Sequence, residues 1–155
     1  MSLLRRSVVG AVTLVLLWTG VAAAHAYLKA SDPPEETTIN AAPTAVRLIF
    51  TEPVEVRFSI FKVYRLDVEP GMEMRRVNAA AGALMSNVLQ KRGDEADRAD
   101  AGVNVASRTT TDVTMRLKSD LKPGSYVVMW RVLSIDTHTT QGFFVFTLSP
   151  RPQGG

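Results

Sequence analysis

Leu121-Lys122-Pro123-Gly124-Ser125-Tyr126-Val127-Val128-Met129-Trp130-Arg131-Val132-Leu133 is the stretch whose reading decides the fold. It opens with a leucine, a Pro-Gly turn and a tyrosine, the order of a tyrosine corner, in which the phenol bonds back to upstream backbone. The run from Tyr126 is rich in β-branched and aromatic residues, the composition of a strand. Tyr126, Val128, Trp130 and Val132 share one face; Val127, Met129 and Leu133 share the other. A strand apolar on both faces is central to its sheet.

Working outward, the neighbouring segments alternate in the same way. Val113, Met115 and Leu117 interleave with Asp112, Thr114, Arg116 and Lys118 just before the turn. Phe143 to Leu148 follows it and is apolar on both faces. Towards the N-terminus, Val46, Leu48 and Phe50 alternate with Arg47 and Thr51, and Glu52-Pro53 is expected to end that strand. From Val56 to Tyr64 the apolar phase starts as Val56, Phe58, Ile60 and shifts to Phe61 and Val63, the mark of a bulge or of burial on both faces. Tyr27-Leu28 opens a short strand broken by Ser31-Asp32-Pro33-Pro34. Residues 78–92 place Leu84, Met85, Val88 and Leu89 on one face of a short helix. Gly93 to Gly102 is charged and aperiodic and reads as a solvated loop, its acidic spacing fitting no calcium loop. Short alternating strands with turn punctuation and little helix predict an all-β, immunoglobulin-like Greek-key β-sandwich.

The first 24 residues fall outside this domain. Met1 to Arg6 is positive, Val8 to Val21 almost wholly apolar, and Ala22-Ala23-Ala24 small: a secretory signal peptide, too short in its apolar run for a spanning helix. The expected organisation is 1–24 signal peptide, 25–149 sandwich domain and 150–155 a frayed tail. Removing Arg5 and Arg6 takes the 18 basic residues to 16, against 15 acidic ones. That balance gives no electrostatic footprint for nucleic acid. The chain has no cysteine, which excludes a thiolate metal site, a thiol nucleophile and a disulfide framework. No nucleotide-binding fingerprint, paired-carboxylate motif or Ser-His-Asp set is present.

Chemistry concentrates in Ser134-Ile135-Asp136-Thr137-His138-Thr139-Thr140-Gln141-Gly142, read as a loop between two strands with Gly142 as its exit. In extended backbone Asp136 and His138 leave on one face, as a metal pair would. The other histidine is His25, the first residue after the expected cleavage point. A free N-terminal histidine offers its α-amine and ring Nδ1 to one ion, whereas in the uncut chain that nitrogen is an amide. Met72 and Met74, on the turn Pro70-Gly71-Met72-Glu73-Met74, are thioethers of the kind that suit Cu(I), while Met115 and Met129 read as core.

In these motifs the chain resembles the CopC family of periplasmic copper-binding proteins. On the N-terminal side the similarity lies in His25 at the cleavage point, Ser31-Asp32-Pro33, Ala42-Pro43 and Val46-Arg47-Leu48-Ile49-Phe50-Thr51-Glu52. On the C-terminal side it lies in Leu121 to Tyr126, Trp130-Arg131-Val132, Ser134 to His138 and Gly142. The resemblance implies a Cu(II) site formed by His25, Asp136 and His138, a role as copper carrier or buffer in the periplasm, and an inner-membrane CopD-type partner. Pro70 to Met74 resembles the remnant of a Met-rich Cu(I) loop whose further ligands are not all present. Thr139-Thr140, where a Pro-led pair is common, and the charged insertion near 78–108 are departures. Tetragonal nitrogen and oxygen donors suit Cu(II), and the Irving–Williams order places it above the other divalent first-row ions there. Two alternatives stand beside the carrier. A histidine-brace monooxygenase would leave open the position that Asp136 takes, and a plain interaction module would bind no metal tightly.

Overall fold

The computed structural model describes residues 25–104 and 106–149. The expected signal peptide and tail lie outside these. Among the described residues eight strands and one α-helix follow in order: β1 (Leu28–Asp32), β2 (Thr38–Ile39), β3 (Ala45–Glu55), β4 (Ile60–Leu66), α1 (Met74–Val88), β5 (Asp100–Val103), β6 (Thr109–Leu117), β7 (Gly124–Leu133) and β8 (Thr139–Leu148). They form two four-stranded sheets, ordered β1-β3-β6-β5 and β2-β8-β7-β4. The pairings are antiparallel except β2 with β8. This is the β-sandwich expected from the alternation.

β7 sits inside its sheet between β4 and β8, and both its faces are used. Tyr126, Val128, Trp130 and Val132 join Val46, Leu48, Phe50, Val113 and Met115 in the core between the sheets. Val127 and Met129 face the other way, into a second cluster with Tyr64, Leu66, Val145 and the α1 residues Val77 and Ala81. The two-faced apolar pattern thus has a physical reason: the second sheet is covered on its outer side by a helix. The corner is also in place, with the Tyr126 hydroxyl donating to the Lys122 carbonyl at 2.5 Å. Burial holds that phenol above its ordinary pKa.

Several expectations are corrected. β3 does not stop at Glu52-Pro53. Its pairing with β6 shifts register between Ile49 and Val54, and Pro53 lies in that irregularity, where a missing N–H breaks no ladder bond. The segment from Val56 to Tyr64 is not one strand. A single 3-10 turn, Val56–Phe58, precedes β4, and this accounts for the apolar phase shift. The helix starts at Met74, earlier than residue 78, and ends at Val88. Met72 and Met74 are half-buried and pack against the second cluster.

The largest correction concerns Gly93 to Gly102. Asp94 and Asp100 are each 2 % exposed, and Asp100 opens β5. Asp94 is buried because Lys62, on the outer face of β4, points at it: Nζ lies 2.5 Å from Asp94 Oδ2, 2.8 Å from the Val88 carbonyl and 2.6 Å from that of Lys91. The three ammonium protons are matched by three acceptors. The Tyr64 hydroxyl donates to the same carboxylate, and Arg98 stands 3.7 Å from its other oxygen. The Asp100 carboxylate accepts the backbone N–H groups of Val63 and Gly102. Charge patterning cannot tell a solvated acidic run from one whose counter-charge lies some 30 residues upstream.

Candidate metal centre

At one end of the sandwich β7 turns into β8 through Ser134 to His138. The loop is shorter than expected, because β8 begins at Thr139, paired with Leu133. The Ser134 N–H donates to the His138 carbonyl, and the Thr137 N–H to the Ser134 carbonyl. Thr137 has φ +72°. A turn closed by a left-handed residue is a recurrent three-residue hairpin connection.

Asp136 and His138 are therefore brought together by the turn and not by strand alternation. Asp136 Oδ1 accepts from the Ser134 hydroxyl and from the His138 backbone N–H at 3.1 Å. These bonds aim the other oxygen, Oδ2, at the His138 ring, 3.0 Å from Nδ1. Oδ2 is buried and makes no well-formed hydrogen bond, the His138 ring nitrogen being its close neighbour. An orphaned carboxylate oxygen next to an imidazole nitrogen is an arrangement a cation would complete. The Asp136 pKa is lowered to about 2, chiefly by the Ser134 hydroxyl bond, against the opposing effect of burial, and then by His138. The carboxylate is accordingly anionic throughout the physiological range.

His25 reaches the same place from the other end of the chain. Its ring lies 4.7 Å, centroid to centroid, from that of His138 and 6.0 Å from that of Tyr27. Residues 25–27 lie across the top of both sheets. Ala26 is 1 % exposed and part of the inter-sheet core. The Thr51 hydroxyl, from β3, donates to the His25 carbonyl at 3.2 Å and accepts the Tyr27 N–H at 3.0 Å. The Thr140 hydroxyl, from β8, donates to the Ala26 carbonyl at 2.6 Å. The fold thus gathers His25, Asp136 and His138. Among the described residues, however, no three His, Cys, Asp or Glu side chains form a ready metal cage.

Gly142 is not the exit of a loop. It lies within β8 opposite Trp130, whose indole covers it. A Cβ there would meet Trp130 Cζ2 at 2.6 Å. Sequence reading also missed the supports Ser134, Thr51 and Thr140. Ser134, two residues before Asp136, carries a local signal for a side-chain-bonded turn. Thr51 and Thr140 carry none, since their partners lie 26 and 114 residues away.

The comparisons with known proteins agree with this architecture. The family model of the CopC domain matches residues 28–149. The chain belongs to the CopC family. It is 29% identical over 127 residues to Protein YobA of Escherichia coli (strain K12), spanning 81% of this chain and 79% of that one. It is 26% identical over 133 residues to the Copper transport protein CutJ of Bacillus subtilis (strain 168), covering 85% of this chain but only 19% of CutJ. Among solved structures, CopC from Methylosinus trichosporium OB3b superposes with a TM-score of 0.58 at 22% identity, over 84% of this chain and all of that one. PcoC, a methionine-rich copper resistance protein from Escherichia coli, gives 0.55 at 25% identity, over 81% of this chain and 100% of PcoC. Among the described residues no helix is long and apolar enough to cross a membrane.

Proposed function

We propose that this CopC-family protein carries or buffers copper in the periplasm, binding Cu(II) through His25, Asp136 and His138. The observation that carries this reading is the close approach of two imidazoles from opposite ends of the domain, tilted at 38° with centroids 4.7 Å apart, beside the buried Asp136 Oδ2. Two imidazole nitrogens and a carboxylate oxygen are donors that suit Cu(II). The fourth donor in this reading is the α-amine of His25, created when the leader is cut after Ala24. Processing to 25–149 plus a short tail and assembly of the site are then one event. Asp136 takes a position that an oxygen-activating brace would keep open, which favours carriage over oxidation. The similarity to the copper transport protein CutJ, of which this chain matches about a fifth, supports a role in moving copper; in this proposal the recipient is an inner-membrane partner of the CopD type.

The test is a Cu(II) titration of the chain beginning at His25, read by electron paramagnetic resonance, beside the same chain with one extra residue in front. Tight one-to-one binding by the first and much weaker binding by the second is expected. His138→Ala should weaken binding more than Asp136→Ala, since nitrogen is the better Cu(II) donor. Equal affinity with and without the extra residue would remove the amine from the site.

A further inference from the structure

A chain terminus ordinarily frays, yet the proposed site needs its first residue held to within a fraction of an ångström. We infer that Thr51 and Thr140 are positioning residues that clamp the N-terminal segment and so set His25 against His138. This rests on the copper reading above for its purpose, but not for its geometry.

The two hydroxyls act from opposite sheets. Thr51, on β3, bridges across one residue, donating to the His25 carbonyl and accepting the Tyr27 N–H. A backbone bond from the Thr51 N–H to the Tyr27 carbonyl, 2.9 Å, extends the same contact. Thr140, on β8 and opposite Val132 of β7, donates to the Ala26 carbonyl. Between the two hydroxyls the Ala26 methyl is sunk in the core. The backbone of residues 25–27 is therefore fixed from both sides, with its one buried side chain acting as a plug. Thr140 stands two residues beyond His138, so the hairpin that carries one imidazole also fixes the segment that carries the other. Occupying the His25 carbonyl with Thr51 also keeps that oxygen from competing as a ligand, leaving the amine and the ring to face the ion. Neither hydroxyl needs to touch copper.

Valine removes the hydroxyl at nearly constant shape, and serine restores it without the methyl. In chains beginning at His25, Thr51→Val, which removes two backbone-anchoring hydrogen bonds, and Thr140→Val, which removes one, should each weaken Cu(II) by about tenfold or more and together by about a hundredfold or more. Thr51→Ser and Thr140→Ser should stay within about threefold of the parent. The metal-free proteins supply a second readout: a nuclear Overhauser contact between the His25 and His138 rings. It should be present in the parent and the serine variants and lost in the double valine variant, whose thermal unfolding remains cooperative. A double valine variant that keeps the contact overturns the clamp, as does a parent without the contact or a serine series that loses as much as the valine series. Should the parent bind no Cu(II) while the ring contact still follows the hydroxyls, the clamp stands and the copper reading falls.

Discussion

Thr137 is the residue at which the candidate site departs from backbone comfort. It is β-branched and held at φ +72°, a conformation that costs an L-residue with a branched Cβ about 1–2 kcal/mol. The strain has a local use. With Thr137 left-handed, the chain turns within three residues and the His138 N–H comes to Asp136 Oδ1, which leaves Oδ2 beside the ring. Asparagine tolerates this region far better than threonine and, unlike glycine, adds little freedom to the unfolded chain. Thr137→Asn is therefore expected to stabilise the protein by about 0.5–1 kcal/mol, with Cu(II) affinity unchanged because no donor is altered. Chemical denaturation of parent and variant measures the first and copper titration the second. A destabilised variant would show that the threonine side chain makes a contribution larger than its backbone strain.

At the scale of elements, β7 and β8 form the frame on which the centre is built, and one contact between them admits no slack. Trp130 packs edge-on to Phe50 at 6.1 Å and tilted to Phe144 at 6.3 Å, so its indole cannot retreat from Gly142. Gly142→Ala would push a methyl into the ring, and overpacking of this kind costs about 1–3 kcal/mol. Trp130 is the only tryptophan after residue 24, so a shifted emission maximum together with a lower denaturation midpoint is the expected signature; an unmoved spectrum would mean that the backbone yields instead. This glycine also marks how far elements were legible. Strands β6, β7 and most of β8 could be read because one or both of their faces are apolar at period two. The length of β8 could not, because Thr139, Thr140 and Gln141 have no apolar period and are strand only through pairing with β7. For the same reason β3 runs through Pro53 against expectation. The candidate site was legible where the chemistry is scarce: a chain with two histidines, one of them beside a cleavage pattern, leaves few choices. Its supports were not, since a threonine that holds backbone from another sheet looks like any strand threonine.

For the whole molecule, the least legible feature governs behaviour in acid. The Lys62–Asp94 pair joins β4 to the segment after α1, and Tyr64 and Arg98 complete the surroundings of the carboxylate. Burial alone would raise the Asp94 pKa; the hydrogen bonds from Lys62 and Tyr64, with the charges of Lys62 and Arg98, outweigh it and leave it below the ordinary 3.8. The same carboxylate drives the Tyr64 phenol upward, after burial, so Tyr64 remains a donor. On the surface, the hydrogen bond from Arg47 likewise lowers Asp112. A carboxylate whose folded pKa lies below its unfolded one binds fewer protons when folded. The stability it contributes is complete above the unfolded value of about 3.8 and is lost as pH falls through the lower, folded value. Unfolding free energy should thus be level from neutrality to about pH 5 and drop between about pH 4 and 2. Asp94→Asn separates the buried carboxylate from the exposed one. It leaves the Lys62 ammonium buried against an amide, a loss of about 3–5 kcal/mol at neutral pH, and it removes one titrating carboxylate from the acid limb. Urea unfolding of parent and variant at pH 7, 5 and 3 is the measurement, with the gap between them expected to narrow towards pH 3. A gap that stays constant across that range would mean that folding does not lower the Asp94 pKa, and one that narrows towards neutrality would mean that Asp94 is protonated in the native protein.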